Sequence, residues 1–194
     1  MHTATASSAR RPGGRSLPDP AHAGIGSDVV VVSAVRTAVG TYLGGLRDVP
    51  AHVLGATVIR TAVERARLAP DEVAEVVMGQ VGQIGADAYN ARRCSMAAGL
   101  PPSTTAMNVN RLCGSGLQAI SSAAQEIRLG EAGIVVAGGN ESMTRQPFLD
   151  FATRVGGGAL GDRTLVDGTL SLLTDPLGGY PMGRPPSESP SASA

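Results

Sequence analysis

Cys113 is the residue of this chain whose type and surroundings could do covalent chemistry. It lies in Val109-Asn110-Arg111-Leu112-Cys113-Gly114-Ser115-Gly116-Leu117, after a run rich in β-branched and apolar residues, Thr104 to Val109. Apolar residues at helical spacing follow it: Leu117, Ile120, Ala124 and Ile127. The first run predicts a strand and the second a helix, so Cys113 is expected at or just before a helix N-terminus. Unpaired N–H groups and about half a positive charge from the helix dipole converge on such a place. Thiols held there ionise more readily, and the thiolate is the nucleophile. Gly114 and Gly116 carry no Cβ, which leaves room for an acyl group to approach the sulfur and the backbone amides. The competing reading makes Cys113 a small buried hydrophobe, the ordinary fate of an unpaired cysteine. The second cysteine, Cys94, falls inside a short Ala-rich helix predicted over 90–99. No glycine turn or helix start favours its thiolate, and it reads as structural.

The elements that must position Cys113 alternate along the chain. Val29 to Val35 is a continuous apolar run broken only by Ser33, as expected of a strand buried on both faces of a sheet. A loop punctuated by Gly40, Gly44 and Gly45 leads to Pro50, which suits a first helical turn. Val53, Leu54, Val58, Ile59, Ala62, Val63 and Ala66 then trace one helix face. A second strand is predicted over 73–78, and a further buried one over 134–139. The order β, α, β, α, β, α, β indicates an α/β sheet with helices on its faces. Gly138 and Gly139, at the end of the last of these strands, fall where ligands approach such sheets.

Composition narrows the class. With 194 residues and 42% hydrophobic content the chain can bury a core, but aromatics are only 3% and Trp is absent, so that core is aliphatic. Sixteen basic and sixteen acidic residues balance, which gives no electrostatic case for nucleic acid or an anionic membrane surface. No apolar run is long enough to span a bilayer. Two cysteines do not make a disulfide framework, and reduced thiols in a cytoplasmic setting are expected.

The motif Val109-Asn110-x-x-Cys113-Gly114-Ser115-Gly116-Leu117-x-Ala119-Ile120, with Ile127 seven residues on, resembles the acyl-enzyme signature of the thiolases, the acetyl-CoA acetyltransferase family. The resemblance runs from Val29 to Gly183. Ser33 to Gly40 is similar to the family's first strand and loop, Asn90-Ala91-Arg92-Arg93 and Ala98-Gly99-Leu100-Pro101 to its second-helix region, and Gly138 to Thr144 to the segment after its fourth strand. Leu173-Thr174-Asp175 and Tyr180-Pro181-Met182-Gly183 resemble the loop region that lines the acyl and pantetheine channel. The resemblance implies the N-terminal half of a thiolase-like α/β fold, a mixed sheet with helices on both faces. It implies Cys113 as the acylated nucleophile, Met182 against the acyl group and Leu173 against the CoA chain, although the latter two would by themselves pass as packing residues. It also implies acyl-CoA substrates, no cofactor beyond the CoA thioester, no metal, and a homo-oligomer when full length. In this family one cysteine carries the acyl group as a thioester, a histidine activates it, and a second cysteine moves the acceptor's α-proton. The family's Asn-Glu-x-Phe-Ala, Gly-His-Pro and Cys-x-Gly-Gly-Gly segments do not occur here, and His2, His22 and His52 match none of them. The chain alone is therefore expected to be inactive.

Four regions are expected: a disordered leader over 1–27, an α/β core over 28–142, a partial loop region over 143–183, and a disordered tail over 184–194. The leader is rich in Arg and Ser and poor in acids, a composition shared by transit peptides, but no amphipathic face can be drawn through it. After Gly183 the apolar pattern stops in Pro- and Ser-rich sequence. Pro185 to Ser193 can be back-translated so that a neighbouring frame encodes an amphipathic helix start. A shift of reading frame is the expectation drawn from this, which resequencing the locus would test.

Overall fold

The computed structural model describes residues 28–156 and 160–183. The expectations for 1–27 and 184–194 lie outside the described residues. Helix α1 (Ala51–Ala66) precedes strand β1 (Glu75–Gly79), then come α2 (Asn90–Ala98), β2 (Thr105–Val109), α3 (Ser115–Leu129) and β3 (Val135–Gly139). The strands form one parallel sheet in the order β2-β1-β3, with Gly79 opposite both Val109 and Gly139. All three carboxyl ends therefore fall in line.

β1 is the centre of the core because both of its faces are covered. Val76 and Met78 pack against α1 and α2 with Ile59, Val63 and Cys94, while Val77 packs on the other face against Ala119 and Ala123 of α3. This period-2 division is what a central parallel strand requires. Backbone geometry closes each helix. Arg67, Gly99 and Gly130 all adopt left-handed φ and return their N–H groups to the preceding turn. After β3, β4 (Phe148–Leu149) pairs antiparallel with β5 (Val166–Asp167), flanked by the short helices α4 (Thr153–Gly156) and α5 (Gly168–Leu172). The Asp167 carboxylate caps α5 by accepting from the N–H groups of Thr169 and Leu170.

Two local expectations need correction. Residues 29–35 are not a strand buried on both faces: they pair with no described strand, and Val30, Val31 and Val32 are 69–79% exposed. An apolar run becomes a ladder only when a neighbour supplies its hydrogen bonds, and here a cavity of about 800 Å³ lies between this segment, β3 and the faces of α1 and α3. β3 is accordingly half-buried rather than buried. The described three-stranded sheet is wholly parallel. On the other face of the sheet, α3 seats its small residues, Ser115, Ala119 and Ala123, leaving Leu117 77% and Ile120 49% exposed. Small side chains let a helix axis come close to a sheet, so the bulkier stripe that announced the helix is not the one it buries.

Candidate functional site

The turn between β2 and α3 presents Cys113, and the thiol is exposed. One unusual residue creates the turn. Leu112 has φ +48°, a left-handed conformation that costs a non-glycine residue about 1–2 kcal/mol. Its side chain is more than half exposed, so packing does not compensate. Hydrogen bonds do. The Leu112 N–H donates to Asn110 Oδ1 at 3.0 Å, and its carbonyl accepts from the Ser115 N–H at 3.0 Å and from the Ser115 hydroxyl at 2.6 Å. Ser115 Oγ in turn accepts from the Arg111 N–H at 2.9 Å. Gly114 then caps α3, donating to the Arg111 carbonyl and accepting from Gln118. Helix geometry leaves the N–H groups of Gly116 and Leu117, in the first turn of α3, without an intrahelical acceptor. A Cβ at Gly116 would meet open space, so room exists on that side of the turn.

Two glycines at strand ends seat this turn. A Cβ at Gly79 would stand 2.4 Å from the Ser115 carbonyl carbon and 2.6 Å from the Gly116 nitrogen. One at Gly139 would lie 3.0 Å from the Gly79 carbonyl oxygen and 3.3 Å from the Gly116 Cα. Gly139 therefore serves helix seating, whereas only Gly138 has open space where its Cβ would be. Sequence reasoning missed Gly79, since a glycine ending a strand looks like the start of any loop.

It also missed a polar network behind the turn. Glu141 Oε2 accepts from the Val81 N–H at 2.7 Å and the Gly82 N–H at 3.2 Å, while Glu141 Oε1 accepts from Gln146 Nε2. The Val81 carbonyl accepts from Asn110 Nδ2 at 3.3 Å. The available signal was a carboxylate and amides directly after strand ends, where backbone groups leave the ladder.

Cys94 is fully buried and sits against Asn90 and Asn140. Burial pushes its thiol up from 9.0 to about 11, outweighing the hydrogen bond from Asn140, so it stays protonated at neutral pH. His52, the second residue of α1, is held below its ordinary value first by burial and then by the Arg93 guanidinium. No hydrogen bond among the described residues joins it to Cys113. Leu173 and Met182 are brought together: the Met182 N–H donates to the Leu173 carbonyl at 2.8 Å beside a bridge between Thr174 and Pro181. Both side chains are partly exposed, and no described hydrogen bond ties either to Cys113. Their segment is anchored to the core side through Thr169, whose hydroxyl donates to the Met143 carbonyl.

A strand end, a strained turn and a helix start around one exposed cysteine can be compared with known proteins. The family described as "Thiolase, N-terminal domain" matches residues 29–187. The chain belongs to the thiolase family. Among curated thiolase relatives, an acetyl-CoA acetyltransferase of Cupriavidus necator is 47% identical over 158 residues, covering 81% of this chain and 40% of that protein. A cytosolic acetyl-CoA acetyltransferase of Mus musculus is 45% identical over 162 residues, with 81% and 40% covered. The crystal structure of the Bacillus anthracis acetyl-CoA acetyltransferase superposes with a TM-score of 0.74 at 38% identity, covering 79% of this thiolase chain and 39% of that one. The chain thus spans about two-fifths of the length of the curated relatives it matches. No helix among the described residues is long and apolar enough to cross a membrane.

Proposed function

We propose that this chain carries the nucleophile of a thiolase-type acyltransferase, with Cys113 accepting an acyl group from an acyl-CoA. The Cys113 sulfur attacks the thioester carbonyl, a new S–C bond forms, and the bond to CoA breaks. The CoA thiolate leaves and takes up the proton lost from Cys113, giving acyl-Cys113 and free CoA. The N–H groups at the start of α3 are the oxyanion donors this reading uses. Met182 and Leu173 are assigned to the acyl group and the CoA chain respectively, on their likeness to the family's loop region. The single observation that supports the reading best is an exposed cysteine delivered by a left-handed turn onto a helix N-terminus.

Repeated turnover is a separate matter. None of the chain's three histidines matches the family's base, and the relatives named acetyl-CoA acetyltransferase are more than twice as long as the matched region. The exposed Leu117 and Ile120 also leave an apolar stripe of α3 without a described partner. The 194-residue chain alone is therefore read as acylated at most once, without forming acetoacetyl-CoA. Incubation with acetyl-CoA followed by peptide mass mapping tests both statements. An acetyl adduct on Cys113 that hydroxylamine removes is expected. Absence of any adduct on an accessible Cys113 would refute the nucleophile, and steady formation of acetoacetyl-CoA would refute the inactivity.

A further inference from the structure

We propose that Asn110 and Glu141 are positioning residues for Cys113, acting through one hydrogen-bonded chain that runs Glu141–Val81–Asn110–Leu112. The proposal deepens the nucleophile reading above and rests on it for its functional meaning. Leu112 pays for its left-handed φ of +48° without burying its side chain, so something else must hold it. Ser115 holds it from inside the turn, through bonds that span only three or four residues. Such local bonds give Leu112 itself no tie to the neighbouring strand ends.

Asn110 supplies that tie because its amide faces two ways. Oδ1 accepts from the Leu112 N–H at 3.0 Å, while Nδ2 donates to the Val81 carbonyl at 3.3 Å. Val81 is the second residue beyond β1, and its own N–H is gripped by Glu141 Oε2 at 2.7 Å. The same oxygen takes the Gly82 N–H at 3.2 Å, so the carboxylate fixes the plane of the peptide whose carbonyl meets Asn110. Glu141 in turn follows β3, whose last pairing partner is Gly79 at the end of β1. The result is a strut from the ends of β1 and β3 to the residue before the cysteine. It sets where the thiol stands over the first turn of α3. Neither residue touches a reacting atom.

The test is the rate at which iodoacetamide alkylates Cys113 in the full 194-residue chain, which requires no CoA chemistry. Asn110→Ala removes one of the hydrogen bonds that hold Leu112 and is expected to slow alkylation roughly fivefold, the factor to which one such bond corresponds. Asn110→Asp keeps an acceptor for the Leu112 N–H and is expected to fall between Asn110→Ala and wild type. Glu141→Ala is expected to slow the reaction, and Glu141→Gln, whose amide oxygen still accepts the two N–H bonds, to restore most of it. Glycine adopts φ +48° freely, so adding Leu112→Gly to Asn110→Ala is expected to recover the rate of Leu112→Gly alone. A purely structural loss would not be rescued by that second change.

Fully buried Cys94 is the internal control and should remain unlabelled throughout. Unchanged Cys113 labelling in Asn110→Ala and Glu141→Ala would overturn the proposal, as would failure of the Leu112→Gly rescue. Should Asn110→Ala let Cys94 react, its fold has opened and the Glu141 pair decides: restoration by glutamine supports the strut, equal labelling of both variants overturns it. Because the readout is alkylation, a chain that never accepts acetyl from acetyl-CoA would refute the acyltransferase reading while leaving this result to stand or fall by itself.

Discussion

Replacing Gly79 by alanine is the sharpest probe of how the sheet seats the nucleophile turn. The added Cβ would lie 2.4 Å from the Ser115 carbonyl carbon, 2.5 Å from its oxygen and 2.6 Å from the Gly116 nitrogen. These are backbone atoms of the first turn of α3, so no side chain can rotate away. The turn must withdraw by about 1 Å to regain ordinary van der Waals distance, in an interior packed too densely to yield without cost. Overpacking of this kind costs about 1–3 kcal/mol, offset by about 0.5–1 kcal/mol because alanine loses less backbone entropy than glycine in a strand. The central values leave a net loss of about 1 kcal/mol, which for a chain of this size lowers the melting temperature by roughly 2–4 °C. Cys113 rides on the displaced turn, so its alkylation should slow in the same variant. Gly116→Ala is the matched control: its Cβ meets open space and it lies within α3, so it should stabilise by up to about 1 kcal/mol. Thermal melting by circular dichroism and timed iodoacetamide labelling read the two effects. A Gly79→Ala chain that melts and labels like wild type would refute the seating argument outright.

Three further outcomes are expected. Ile59→Ala, which empties a side chain only 1% exposed between α1 and the sheet, should cost about 2–5 kcal/mol in denaturant titration, with m unchanged. Cys94 should resist alkylation until the pH approaches about 11, where its buried thiol ionises. Because the unfolded thiol ionises near 9.0 and the folded one later, this group's contribution is complete below that value and is lost as the pH rises toward 11; Cys94→Ala should flatten that part of the stability curve. Glu126 is held above its ordinary value by burial first and then by the neighbouring Glu75 carboxylate. Its raised value means stability present at low pH and lost as it ionises, so Glu126→Gln should raise the melting temperature at pH 8 and change it little at pH 4.

Much of the core was legible because its signals are local. The 3.6-residue spacing of Ile59 and Val63 places α1, and the predicted 90–99 helix differs from α2 only in its closing Gly99. The flanking strand and helix likewise predicted Cys113 at or just before a helix start, which is where it stands, exposed. Val29 to Val35 misled for the same reason, since an apolar run states a preference for extended backbone and not the presence of a neighbour to pair with. The stripe Leu117 and Ile120 identified a helix but not its buried face, because close approach to the sheet favours alanine over leucine.

Sequence by itself determined the alternation of strands and helices, the aliphatic core, the cysteine and the glycine-flanked turn that carries it, because each depends on residues within one or two turns of one another. Tertiary structure alone decided that Gly79 and Gly139 must lack a Cβ, that Leu112 takes a left-handed φ, and that Asn110 reaches Val81 while Glu141 grips it. Those features join positions about 30 and 60 residues apart along the chain, and no local spacing rule can anticipate which strand ends a parallel sheet will bring side by side.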